Sequence, residues 1–127
     1  MIAVLDASAL LALLQREPGA EAVAEVLDGA VVSAVNWSEV LQKLAQRGIA
    51  PGSPMPASLQ ALGLRIEPFT VDDARRTAEL WERCRQAGLS TADRACLAVA
   101  NRFDAEVLTT DRAWSGVDAG VSVRLVR

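Results

Sequence analysis

The sequence predicts an α/β protein: a three-layer α/β/α sandwich on a mainly parallel central sheet. Three observations carry that reading. Short apolar runs suited to buried strands recur along the chain, and segments with helical spacing of apolar residues separate them. With 127 residues, of which 51% are hydrophobic, there is material for one domain, 1–127, with a real core. Strands alternating with helices imply βαβ units, a sheet covered on both faces, and a ligand site beyond the carboxyl ends of the strands.

The elements follow in order. Ile2 to Leu5 is four apolar residues, a short buried strand, and Asp6 stands where it leaves the core. Ser8 to Gln15 reads as a helix, and Ala20 to Leu27 as a second one after Pro18-Gly19. "AVVSA" (Ala30 to Ala34) is a strand. From Asn36 to Gly48, Trp37, Val40, Leu41 and Leu44 recur at helical spacing until Gly48 stops them. "GIAPGSPMPAS" (Gly48 to Ser58) is a loop entering a helix, since three prolines and two glycines break the pattern. Leu64 to Phe69 is a strand that Pro68 places at a sheet edge. Thr70 to Ala87 reads as one long amphipathic helix ending at Gly88. "STADRACLAVANRF" is a helix, and "AEVLTT" and "VSVRLV" are the last strands.

Composition excludes several chemistries. The chain has no histidine and no tyrosine, so imidazole cannot serve as base or metal ligand. Lys43 is the only lysine, and the remaining basic residues are arginines. A net charge of −3 gives no bulk attraction to nucleic acid. Cys84 and Cys96 lie in apparent helices without metal-ligand spacing and read as buried, reduced thiols. Asp6 interrupts the first apolar run and no run is long enough to span a bilayer, so a cytoplasmic protein without a secretory signal is expected.

Four acids stand where a strand ends or a helix begins: Asp6, Glu39, Asp93 and Asp111. Each also has an ordinary explanation. Asp6 can cap the first helix. Glu39 and Lys43 are four apart in the order that favours a solvated ion pair. Ser90 and Asp93 have the spacing of a capping box. Asp111 can be a turn residue. Together the four would repel one another by about 1–4 kcal/mol per close pair, which a divalent cation or retained protons would relieve. Oxygen ligands alone favour Mg²⁺ or Mn²⁺, with Ser8, Asn36, Thr109 and Thr110 as neutral hydrogen-bonding support. Such a site suits phosphodiester hydrolysis without a side-chain base. Arg94 and Arg112 each adjoin a site acid, where they can hold a substrate phosphate or neutralise a carboxylate. Trp37, Trp81 and Trp114 can stack on bases, although core or interface packing is the better reading.

"VLDASALLALL", "SAVNWSEVLQKL", "GLSTADRACLAVA" and "VLTTDRAW" occur in the order and spacing of a PIN-domain ribonuclease. The chain most resembles a VapC-type toxin of a bacterial type II toxin–antitoxin pair, from end to end. That resemblance places Asp6, Glu39, Asp93 and Asp111 on the family's metal-binding and catalytic positions, and Ser8, Asn36 and Thr109 on polar positions beside them. It implies Mg²⁺-dependent endonuclease action on RNA, commonly tRNA or ribosomal RNA, which would inhibit translation. It also implies a homodimer, and a larger complex with a VapB-type antitoxin through which alone the chain would meet DNA. The first two helices and the Pro-rich loop are the candidate dimer surface.

Rival readings fit less well. A haloacid-dehalogenase-type phosphotransferase wants an acid two residues after Asp6, where Ser8 stands, and a late lysine. A receiver domain fails in the same way. A stand-alone PIN RNA-processing nuclease and a non-catalytic PIN-like binding module remain as alternatives.

Overall fold

The computed structural model describes residues 2–127. Its elements in chain order are β1 (Ala3–Leu5), α1 (Ala7–Leu14), α2 (Ala20–Val26), β2 (Val31–Ser33), α3 (Ala34–Ala45), α4 (Pro54–Ala61) and β3 (Arg65–Glu67). They continue with α5 (Val71–Glu79), α6 (Trp81–Cys84), α7 (Thr91–Phe103), β4 (Glu106–Thr109), a 3-10 turn (Arg112–Trp114) and β5 (Val123–Leu125). The sheet order is β3-β2-β1-β4-β5, and all four pairings are parallel. The chain leaves β1 for β2 on one side and returns to β4 on the other. The carboxyl end of β1 therefore faces the point where the strand order reverses.

The two-residue period of the strands divides the core. Val4, Val31 and Val107, which are in register, pack with Leu80 and Cys84 and with buried residues of α7. Leu5, Val32 and Leu108 point to the opposite face, against Leu10, Val23, Val40, Leu44 and Leu59 from α1 to α4. Two helical layers thus enclose the sheet, as the near-continuous apolar strands require. Trp114 is buried in the first cluster and Trp37 packs at the margin of the second. Trp81 is half-exposed, with the Arg85 guanidinium 5.1 Å from its ring centre. Both cysteines are free, and burial pushes both thiols up, Cys96 furthest. Among the described residues, no helix is long and apolar enough to cross a membrane.

One expectation from the sequence is corrected. The segment Thr70 to Ala87 is two helices, α5 and α6, divided at Leu80. In a continuous helix the Thr77 carbonyl would accept the amide of residue 81; here it accepts Arg94 Nη1 at 2.7 Å. The Pro-rich segment is, as expected, a loop entering a helix. It enters α4 at Pro54, where a missing N–H costs nothing because the first helical amides have no intrahelical partner.

At the end of α4, Gly63 adopts φ +106°, and a Cβ there would lie 2.8 Å from the Asp28 Cα. Gly63→Ala is expected to cost about 1–2 kcal/mol, read as a lower urea midpoint with an unchanged slope.

Candidate active site

Helices that follow parallel strands present their N-termini at the strands' carboxyl ends. Here α1, α7 and the 3-10 turn each carry an acid at that terminus, and α3 carries Glu39 in its second turn. Asp6 is the N-cap of α1, its Oδ1 accepting the Ala9 amide at 2.8 Å. Asp93 closes a capping box, with Oδ2 accepting the Ser90 amide at 2.9 Å while its own amide donates to Ser90 Oγ at 3.1 Å. Asp111 Oδ1 accepts the Ala113 amide at 2.9 Å. The ordinary role of each aspartate is therefore real, and it is also what aims the side chain.

Asp6, Glu39, Asp93 and Asp111 all line one cleft of about 180 Å³, together with Ala7, Ser8, Leu11 and Lys43. Glu39 does not pair with Lys43; its Oε1 accepts Asn36 Nδ2 at 2.9 Å. The same amide nitrogen donates to the Ala92 carbonyl at 3.0 Å, tying α3 to the start of α7 beside Asp93.

Asp6 is the buried member, 5% exposed. Ser8 Oγ donates to its Oδ1 at 2.7 Å and Thr109 Oγ1 to its Oδ2 at 2.5 Å. Ser8 in turn accepts the Thr110 amide and Thr109 accepts the Asp111 amide, so both hydroxyls are oriented toward the carboxylate. Burial raises the Asp6 pKa to about 6, against the opposing pull of the Thr109, Ser8 and Ala9 donors, and the Asp93 charge adds a little to the rise. Among the described residues, no arginine or lysine forms an ion pair with Asp6. Helix N-termini supply the compensating partial charge, typically 0.3–1 kcal/mol at each terminus, or about 2 kcal/mol in a partly buried setting.

Glu39 Oε2, Asp93 Oδ1 and Asp111 Oδ2 have no hydrogen-bond partner among the described residues, whereas both Asp6 oxygens do. Nor, among those residues, do three acidic, histidine or cysteine side chains form a ready-made ligand group. The donor set nevertheless fits a hard cation, being oxygen throughout and including a buried carboxylate without a counter-charge. Mg²⁺ commonly uses one or two carboxylates and keeps several waters, so a tight cage of three is not required.

The arginines separate. Arg112 is exposed on the 3-10 turn beside Asp111. Arg94 departs from the expectation of a phosphate contact: its Nη1 is bound to Thr77 and its Nη2 to Thr91 Oγ1 at 3.2 Å, which turns the guanidinium toward α5. Lys43 is the cleft residue that the sequence reading assigned elsewhere. Its spacing of i+7 from Asn36 and i+4 from Glu39, all on one helix face, was the available signal.

A family model described as "PIN domain" matches residues 3–120. Among curated proteins none matches. Similar solved structures include a toxin–antitoxin complex from Klebsiella pneumoniae, 20% identical with a TM-score of 0.74 and 98% of both chains covered. Mycobacterium tuberculosis VapC20, a Sarcin-Ricin loop cleaving toxin, is 18% identical with a TM-score of 0.70, covering 92% of this chain and 97% of that one. VapBC2 from Rickettsia felis, bound to a DNA fragment from their promoter, is 15% identical with a TM-score of 0.70 over 100% of both chains. At these identities the likeness is one of fold.

Proposed function

The chain belongs to the PIN-domain family, and on that premise we propose that it is a Mg²⁺-dependent endoribonuclease, the toxin of a toxin–antitoxin pair. The observation that carries this reading is the meeting of four carboxylates in one small cleft, with Asp6 buried and without a cationic partner. Mg²⁺, or Mn²⁺ in its place, would be held by Asp6, Glu39, Asp93 and Asp111. When bound, it supplies charge stabilisation to a phosphodiester and acidifies water.

The chain's own residues do the positioning. Ser8 and Thr109 hold the Asp6 carboxylate in one orientation, and Asn36 does the same for Glu39. The backbone amides of Ser90 and Ala113 fix one oxygen each of Asp93 and Asp111. This leaves the other oxygens of these acids directed by geometry already in place, which lowers the reorganisation needed during reaction. Leu11 and Ala7 supply an apolar wall that strengthens each charge interaction.

The substrate in this reading is tRNA or ribosomal RNA in the cytoplasm. The partners are a second copy of the chain and a VapB-type antitoxin, through which DNA is met. A groove lined by Leu13, Leu14, Leu27, Met55, Leu59 and Leu62 supports a protein partner, since Leu62 is 61% exposed there.

The test is cleavage of purified tRNAs and ribosomal RNA fragments by antitoxin-free protein in Mg²⁺, Mn²⁺ or EDTA. Discrete cuts that require metal are expected. Asp93→Asn, which keeps its cap, is expected to slow them by roughly 10²–10⁴. Cutting that persists undiminished in EDTA would overturn the metal requirement, and folded protein inert on every RNA would favour the non-catalytic module.

A further inference from the structure

Among the described residues, Lys43 is the only cationic one lining the acidic cleft, and it is the only lysine in the sequence. It extends from the third turn of α3, so that Asn36, Glu39 and Lys43 fall within about 60° of one another around the helix. An amide, a carboxylate and an ammonium thus lie in sequence along one line of the helix.

The expected partner for this ammonium was Glu39, four residues earlier. The structure gives Glu39 to Asn36 instead, and among the described residues Lys43 has no ion pair. It is also exposed, so burial does not hold it there. The cleft therefore has a positive point charge free to meet an incoming anion. Arg94, the other basic residue beside a site acid on a helix, is turned away to the Thr77 carbonyl.

We propose that Lys43 is the residue that receives an RNA phosphate at the mouth of this cleft, positioning the backbone beside the four carboxylates. A lysine suits the place, since its compact, flexible ammonium can follow a phosphate as a point charge. The inference rests on the nuclease reading and adds to it the contact by which an acidic cleft admits a polyanion. Lys43 is a positioning residue, so its loss should weaken RNA binding and raise KM more than it lowers kcat.

The experiment measures binding of a hydrolysis-resistant, phosphorothioate-substituted single-stranded RNA in Mg²⁺ across a salt series. Wild type, Lys43→Met and Lys43→Arg are compared, with melting temperatures recorded alongside. Lys43→Met is expected to weaken binding roughly tenfold and to flatten the slope of log affinity against log salt by about 0.7, the value for one phosphate contact on a single strand. Lys43→Arg should restore most of the slope. A slope unchanged in Lys43→Met would overturn the assignment, as would weaker binding with the slope intact and a lowered melting temperature, which would make Lys43 a structural neutraliser. Wild-type cleavage and its loss in Asp93→Asn are measured separately. A wild type that cuts RNA while Lys43→Met keeps its salt slope refutes only the Lys43 contact. A wild type that neither binds nor cuts refutes both readings.

Discussion

Asp6→Asn is expected to make the metal-free protein more stable and to remove its nuclease activity. The Asp6 carboxyl is 5% exposed, and burial raises its pKa from 3.8 to about 6. A carboxyl raised in the folded state contributes stability below its unfolded pKa and loses it as pH rises through the folded value. From this group alone, the metal-free wild type should therefore lose about 3 kcal/mol between roughly pH 4 and pH 6, and the deficit should persist at neutral pH. Asparagine carries no charge, is an equally good N-cap, and keeps an oxygen for the Ala9 amide and the Ser8 hydroxyl. Its Nδ2 faces Thr109 Oγ1, which would then accept instead of donate. Allowing for that rearrangement, the net gain is about 1–2 kcal/mol at pH 7, or roughly 3–8 °C in melting temperature.

On the proposed metal-dependent reading, cleavage should fall by roughly 10²–10⁴, since the cation this carboxylate would help to hold would supply several kcal/mol of transition-state stabilisation. Mg²⁺ should raise the wild-type melting temperature and leave that of the variant nearly unchanged. Calorimetry at pH 4.5 and pH 7, with and without Mg²⁺, checks each of these signs. A variant that melts lower than wild type at pH 7 would mean that the hydrogen bonds made to the ionised Asp6 carboxylate outweigh the cost of burying it.

Arg102→Ala should give a large loss of stability at a distance from the cleft. Asp73 is 1% exposed, closes the α5 capping box with Thr70, and receives Arg102 Nε and Nη2 at 3.1 Å each. The same guanidinium donates to the Pro68 carbonyl at 3.0 Å and lies over the Phe103 ring. One side chain thus pins the start of α5 to the end of α7. Removing it leaves a buried carboxylate without a counter-charge, at about 2–4 kcal/mol, the Arg102 side chain itself being 32% exposed. Against a typical total of about 5–15 kcal/mol this is a severe lesion. Urea unfolding checks it, and adding Asp73→Asn should recover part of the loss because the stranded charge is then gone. No recovery in the double variant would assign the cost to lost packing on Phe103.

The placement of the acids was readable because it follows from local rules. An apolar run followed at once by Asp6, or "EVLTT" followed by Asp111, puts a carboxylate at a strand end wherever the strand sits. A parallel sheet then sends those ends to one edge. Ser90 and Asp93 were readable as a capping box for the same reason, since the bonds join residues three apart.

What the sequence by itself determined is thus the alternation of strand and helix, the parallel sheet with helices on both faces, and the acids at its carboxyl edge. Only the tertiary structure decided which partner each polar side chain took. Arg94 stands next to Asp93 in sequence yet binds the Thr77 carbonyl, close to where the predicted long helix divides at Leu80. Glu39 takes Asn36 over Lys43, and that leaves an ammonium in the cleft. Periodicity and capping are set by neighbours along the chain, whereas a buried carbonyl or carboxylate takes whichever donor folding brings within 3 Å or so. Residues from distant turns supply that donor, so chain order alone cannot name it.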